Sequence, residues 1–311
     1  MKKISAVIIV LLFSLVLFSC DEKLPIKKTI ATTLFPYYDM AKHLVDKEYD
    51  VKLVLNPGQD AHSYDPSVED VLEIRQSTLF VLTGRDVETW ASGVLDQLTE
   101  ENHVLEILDD KRIHLESVHE IHDEDHHHNH SHSDFDTHVW TNLEYCKYII
   151  EDICDALIKI DPVNKTMYQI NMLKYQNKLD EYINKIAQIK EKAVRNEIFF
   201  GAPFSFLYLF DQFEFDVVSA YDTCSMEVDP SISVIIDMNK QIKEKNIPVI
   251  YVKELMADTA MAEAIIKDTN AEILVLHSGH NVNFLDFNRG ITYFEIIEQN
   301  IKNLERGLLW V

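Results

Sequence analysis

From Val163 to Asn196 the chain contains neither glycine nor proline, and Leu179, Ile183, Ile186 and Ile189 recur at helical intervals. A run of that length without a breaker constrains the fold more than any other segment, because it predicts one long helix where a shorter chain would turn. Asp161-Pro162 precedes it as an N-cap and a first-turn proline. On both sides short apolar runs alternate with amphipathic segments. Strands are expected at 51–55, 78–83 and 103–108, with helical spacing at 66–76 and 86–98. The pattern returns after 197, with strands near 198–200, 216–220, 248–252 and 272–276. The expected fold class is therefore α/β: two lobes, each a mainly parallel sheet flanked by helices, joined by one long rigid helix. The boundaries expected are an N-terminal lobe at 29–160, the linking helix at 161–196 and a C-terminal lobe at 197–311. Strand C-termini facing across a cleft place a ligand site between the lobes.

Charge narrows the ligand. With 52 Asp and Glu against 29 Lys and Arg, the formal net charge is −23. Such a surface repels nucleic acid and acidic membranes and attracts cations. Lys2 and Lys3 precede an apolar run from Ile4 to Phe18 that ends in Ser19-Cys20. This is the pattern of an export signal over residues 1–20. Leu17-Phe18-Ser19-Cys20 resembles the lipobox of bacterial lipoproteins, which implies a lipid on Cys20 and membrane attachment through that lipid alone. The alternative is an uncleaved anchor helix, which leaves the same domain outside the cytoplasm. With Cys20 set aside, three cysteines cannot all pair within one chain. Cys146 and Cys154 fall on the apolar stripe of a helix, where they act as small core residues, while Cys224 lies in a polar stretch.

Histidine marks the candidate ligands. Residues 119–132 hold His119, His122, His126, His127, His128, His130 and His132 among acidic residues, without apolar periodicity. Clustered imidazoles in a solvated loop suit zinc, copper or nickel. Three further histidines sit at strand ends or helix starts: His62 in Ala61-His62-Ser63-Tyr64-Asp65-Pro66, His138 in Asp136-Thr137-His138-Val139-Trp140, and His277 directly after the strand 272–276. Alone, each is more simply a surface or core histidine; together they suggest ligands meeting in the cleft. Asp65 and Asp136 either orient these imidazoles or cap the following helices.

The segments 61–67 and 136–140 with the histidine-rich insert between them, Gly84–Trp90, Glu227-Val228-Asp229-Pro230-Ser231 and Tyr293–Asn300 resemble the metal-binding lipoproteins that serve ATP-binding-cassette (ABC) importers of zinc and manganese. The resemblance implies an extracytoplasmic, lipid-anchored solute-binding protein, a monomer, that is no enzyme and delivers metal from an interlobe site to an ABC-transporter permease. It carries the family's ligands onto His62, His138 and His277, and puts Gly201, which has no side chain to offer, at the remaining position. Cys224 is the expected replacement, chosen over Glu227 and His280. Because these donors are nitrogen and sulfur, zinc is favoured over manganese, which prefers oxygen. The alternatives are a manganese-binding homologue, a zinc-dependent hydrolase built on three histidines and a water, and a zinc-stabilised adhesin. No HExxH, G-x-S-x-G or Walker segment supports the enzyme.

Overall fold

The computed structural model describes residues 28–61, 63–116, 135–221, 229–255 and 259–310. The first lobe runs β1 (Lys28–Thr32), α1 (Phe35–Leu44), β2 (Tyr49–Leu53), α2 (Val68–Gln76), β3 (Leu79–Leu82), α3 (Ala91–Leu95) and β4 (His103–Glu106). After α4 (Leu143–Ile160) and α5 (Lys165–Lys192), the second lobe runs β5 (Glu197–Phe200), α6 (Leu207–Gln212), β6 (Asp216–Ser219), α7 (Ile232–Lys245), β7 (Val249–Lys253), α8 (Ala260–Ile265), β8 (Glu272–Leu276), α9 (Phe284–Arg289) and α10 (Tyr293–Leu308). The sheets have orders β2-β1-β3-β4 and β6-β5-β7-β8. Every pairing is parallel, so the lobes repeat one topology.

Strand β1 is absent from the sequence-based expectation although it is a central strand of its sheet. Only Ile30 and Ala31 give its middle an apolar signature, both fully buried, and three polar residues surround them. The helix expected over 86–98 contracts to α3. In front of it the Glu88 carboxylate folds back onto the end of β3 and accepts from the backbone N–H of Thr83 at 2.7 Å and Gly84 at 3.2 Å, so the chain forms turns there.

The linking helix α5 has 28 residues, and about 1.5 Å of rise per residue makes it roughly 42 Å long. Tyr168, Tyr175, Leu179, Tyr182, Ile186 and Ile189 form its buried face. The start differs from expectation: Pro162 opens a short 3-10 turn, and Asp161 does not cap it through its side chain. Instead Asp161 Oδ2 accepts from Lys28 Nζ at 3.3 Å, Tyr49 OH at 3.4 Å, Asn164 Nδ2 at 3.0 Å and Tyr168 OH at 3.0 Å. A buried carboxylate with four donors is well solvated by the protein, and it ties the linker's first turn to β1 and β2.

The two lobes share one hydrophobic core, which passes from Ile30 and Trp140 through Leu179 and Ile186 to Phe200, Tyr251 and Leu304. Cys146 and Cys154 lie in it on the buried face of α4. A smaller cluster of Ala31, Val54, Ile74, Phe80, Leu82, Ala91 and Val94 covers the other face of the first sheet. Loops at the strand C-termini of both lobes meet. Asn281 Nδ2 donates to Asn56 O at 2.8 Å and Gln59 O at 2.9 Å, Gly58 N to Val282 O at 2.8 Å, and Phe35 N to His280 O at 3.4 Å. Gly58 turns there at φ 86°, a left-handed conformation that glycine adopts without strain.

Candidate metal centre

His138 is built from the residues that precede it. Asp136 is held in place because its N–H donates to Glu116 O at 3.0 Å and its C=O accepts from Tyr208 OH at 2.6 Å. Its carboxylate Oδ1 then accepts twice, from the His138 backbone N–H at 2.7 Å and from the ring Nδ1 at 2.8 Å. A carboxylate can only accept, so the proton of the neutral imidazole is on Nδ1 and the lone pair is on Nε2. The ring is 1% exposed. Of the two functions open to Asp136, orienting the imidazole is therefore the one observed. Asp65 is not the cap of α2, because Ser67 accepts from Asp70 N at 3.2 Å and Asp70 closes a reciprocal capping box.

Trp140, two residues on, joins the lobes. Its Nε1 donates to Ser278 O at 2.9 Å and its own C=O accepts from Tyr293 OH at 2.7 Å. Its ring centroid lies 5.2 Å from both His138 and His280. The rings of His138 and His280 are also 5.2 Å apart, with their planes at 82°. The structure thus brings together His138 from the first lobe and the 277–280 turn from the second.

Within that turn the two histidines differ. His277 is clamped to α10: its N–H donates to Asn300 Oδ1 at 2.8 Å and its C=O accepts from Asn300 Nδ2 at 2.8 Å. Its ring Nδ1 accepts the Gly279 N–H at 3.0 Å and lies 3.8 Å from Glu254 Oε1. Burial depresses its pKa below the usual imidazole value, opposed by the nearby Glu254 and Asp286 carboxylates. The buried Glu254 carboxylate accepts from Ser278 N at 2.8 Å and from Ser278 Oγ.

The family described as zinc-uptake complex component A, periplasmic, matches residues 30–307. The chain belongs to this family. The zinc-binding lipoprotein AdcA of Streptococcus pneumoniae is 27% identical over 313 residues, covering 98% of this chain and 61% of that protein. The chain thus spans about three fifths of that relative's length. The high-affinity zinc uptake system protein ZnuA of Bacillus subtilis is 27% identical over 285 residues, covering 91% of this chain and 88% of that protein. The Zn(II)-bound ZnuA-like domain of S. pneumoniae AdcA superposes with a TM-score of 0.73 at 24% identity, covering 91% of this chain and 100% of that one, which shows a shared fold.

The family is described by zinc uptake, and the two relatives are named for zinc binding and for high-affinity zinc uptake. Of this chain's expected ligands, His62 and Cys224 lie outside the described residues, as do Glu227, Cys20 and residues 119–132. Among the described residues no three His, Cys, Asp or Glu side chains converge on a metal-sized point. No described helix is long and apolar enough to cross a membrane. His280 is the residue that sequence reasoning set aside and the structure places against His138.

Gly201 is closed to any side chain. Its N–H donates to Tyr251 O at 2.8 Å, and a Cβ there would lie 2.7 Å from Ile250 Cδ1 and 3.2 Å from Ala262 Cα. Gly201→His is therefore expected to destabilise the protein by about 1–3 kcal/mol through overpacking instead of adding a ligand. Thermal unfolding checks this; an unchanged melting temperature with tighter zinc binding would contradict it.

Proposed function

We propose that the protein captures one zinc ion between its lobes and passes it to an ABC-transporter permease, while a lipid on Cys20 holds it at the outer side of a membrane in the cell envelope. The observation that carries this reading is the His138 ring, buried at the lobe junction with Nδ1 committed to Asp136 and Nε2 set up as a donor. His62 and His138 supply nitrogen from the first lobe. The second lobe offers His277, His280 and Cys224 as candidates for the remaining positions. Nitrogen and sulfur donors favour zinc over manganese. The histidine-rich residues 119–132 gather zinc near its point of entry: the chain on either side of the insert is joined at Glu116 and Asp136, two residues from His138.

Deleting the protein from its host is expected to abolish growth in zinc-chelated medium and leave growth in zinc-replete medium intact. Equal growth of both strains under chelation would overturn the proposal.

Zinc binding is also expected to weaken as the pH drops toward 5, because an imidazole must be deprotonated to bind and free imidazole takes up its proton near pH 6.5. Protons compete with the metal, so affinity falls as pH falls. Calorimetry between pH 5 and 8 measures this, and a constant affinity would mean that carboxylates dominate the site.

A further inference from the structure

We infer that the protein docks through two matched apolar knobs, Val68 with Leu72 on the first lobe and Ile232 with Ile236 on the second. The partner they fit is a two-fold-symmetric membrane permease that presents an apolar pocket with a basic rim on each of its two copies. This rests on the delivery step proposed above and names the surface that carries it.

The first observation is a repeat. Asp65-Pro66-Ser67-Val68 and Asp229-Pro230-Ser231-Ile232 open α2 and α7 with the same chemistry. In both helices the serine is the N-cap: Ser67 accepts from Asp70 N at 3.2 Å, and Ser231 accepts from Val234 N at 3.4 Å. The correspondence continues through the next two turns. Ile74 and Met238 are buried at equivalent positions, and Val71 and Ile235 pack half-buried beside them, so each helix already has its inward face.

The knobs stand outside that face. Val68 and Ile232 are 80% and 76% exposed, and Leu72 and Ile236, one turn further on, are 46% and 63% exposed. Residues four apart are neighbours on a helix surface, so each pair forms one patch. A lone exposed aliphatic side chain is ordinary, but here a pair recurs at the same two positions of two equivalent helices.

Topology puts the two patches beside the metal's exit. α2 and α7 follow β2 and β6, the equivalent edge strands of the two sheets. Each helix starts beyond the C-terminal end of its strand, on the side where the loops of the lobes meet. Asn281 of the second lobe donates there to Asn56 and Gln59, in the loop that leads to α2. The knobs therefore flank the lobe junction, one on each lobe.

Two like patches related by the lobe repeat match two like pockets, and a two-fold oligomer supplies those with a single sequence. Charge sets the chemistry of the rim. Asp65 and Glu69 are exposed around the first knob and Asp229 and Asp237 around the second. No Lys or Arg occurs from 61 to 74 or from 222 to 239. Carboxylates on this side call for cations on the other, which speed encounter and exclude acidic partners. Contacts this small also release readily, as repeated delivery requires.

The test is cross-linking in the host from a photoreactive amino acid placed at Leu72 or at Ile236, with the adducts identified by mass spectrometry, alongside growth under zinc chelation. Both positions are expected to cross-link the same integral membrane polypeptide, and the doubly substituted chain to join two copies of it. Val68→Gln with Leu72→Gln, and Ile232→Gln with Ile236→Gln, place a good helix former at exposed sites, so zinc affinity is expected to stay within about threefold of the parent. Each pair is nevertheless expected to raise the zinc needed for half-maximal growth by about tenfold or more, as loss of interface anchors does. Ile232→Val keeps the apolar knob and should grow like the parent. Adducts to a second copy of this chain or to a water-soluble protein, cross-linking from one lobe only, or lowered zinc affinity in the Gln pairs overturns the docking surface. Parental growth of both Gln pairs overturns it too and leaves the delivery reading standing. Membrane adducts from both lobes of a protein that confers no growth under chelation would uphold the surface and overturn the delivery reading.

Discussion

Replacing His138 by alanine is expected to weaken zinc binding by at least about 100-fold, since it removes a donor where loss of a mere orienting partner already costs about 10–100-fold. The ring is fully buried and fixed in its tautomer by Asp136, which also holds the backbone N–H of the same residue. Little entropy is then lost when metal binds. Asp136→Asn tests the two parts separately. Its amide oxygen can still accept one bond, so the loop persists while the ring loses its charged partner, and a drop of about 10–100-fold is expected. Competition with a chromophoric chelator measures both. Affinity within threefold of the parent in His138→Ala would remove the first lobe's best-defined ligand from the account.

Trp140→Ala is expected to have the largest effect on stability. The side chain is 1% exposed, packs edge-on against Tyr37 with centroids 6.0 Å apart, and donates across the lobe junction to Ser278 O. Truncating a buried tryptophan costs about 3–5 kcal/mol, and leaving a buried carbonyl without its donor adds about 1–3 kcal/mol. At about 2–4 °C per kcal/mol for a chain of this size, the melting temperature should fall by roughly 10 °C or more. Trp140→Phe keeps most of the packing and loses the hydrogen bond, so it should recover most of the difference. Calorimetry of the metal-free protein decides it. A shift below about 2 °C in Trp140→Ala would mean that the lobes are held by other contacts.

The repeated strand-and-helix pattern was legible because periodicity of two or 3.6 residues survives in a single sequence. Strand β1 escaped because two buried apolar residues among polar ones leave no period to detect. The linker helix was legible from its lack of breakers, but its start was not. Asp161 looks like a cap in sequence, and only the fold brings Lys28, Tyr49 and Tyr168 to its carboxylate. At the site, Asp136 and His138 were readable as neighbours. Asp65 offered the same two functions, and Ser67 takes the cap in its place. His277 and His280 are three residues apart, and sequence reasoning took His277 as a ligand and set His280 aside. What separates them is a chain reversal at Gly279 and the direction of one hydrogen bond to His277, and neither has a sequence signature.

The central claim is a single zinc site between the lobes that does not depend on the histidine-rich insert. It is tested most directly by metal analysis of the purified protein, with and without residues 119–132, after exposure to equimolar zinc and manganese. The account predicts one tightly held zinc per chain in both forms, with additional weakly held zinc only when the insert is present. Manganese in place of zinc, or loss of all tight zinc on deleting the insert, would contradict it.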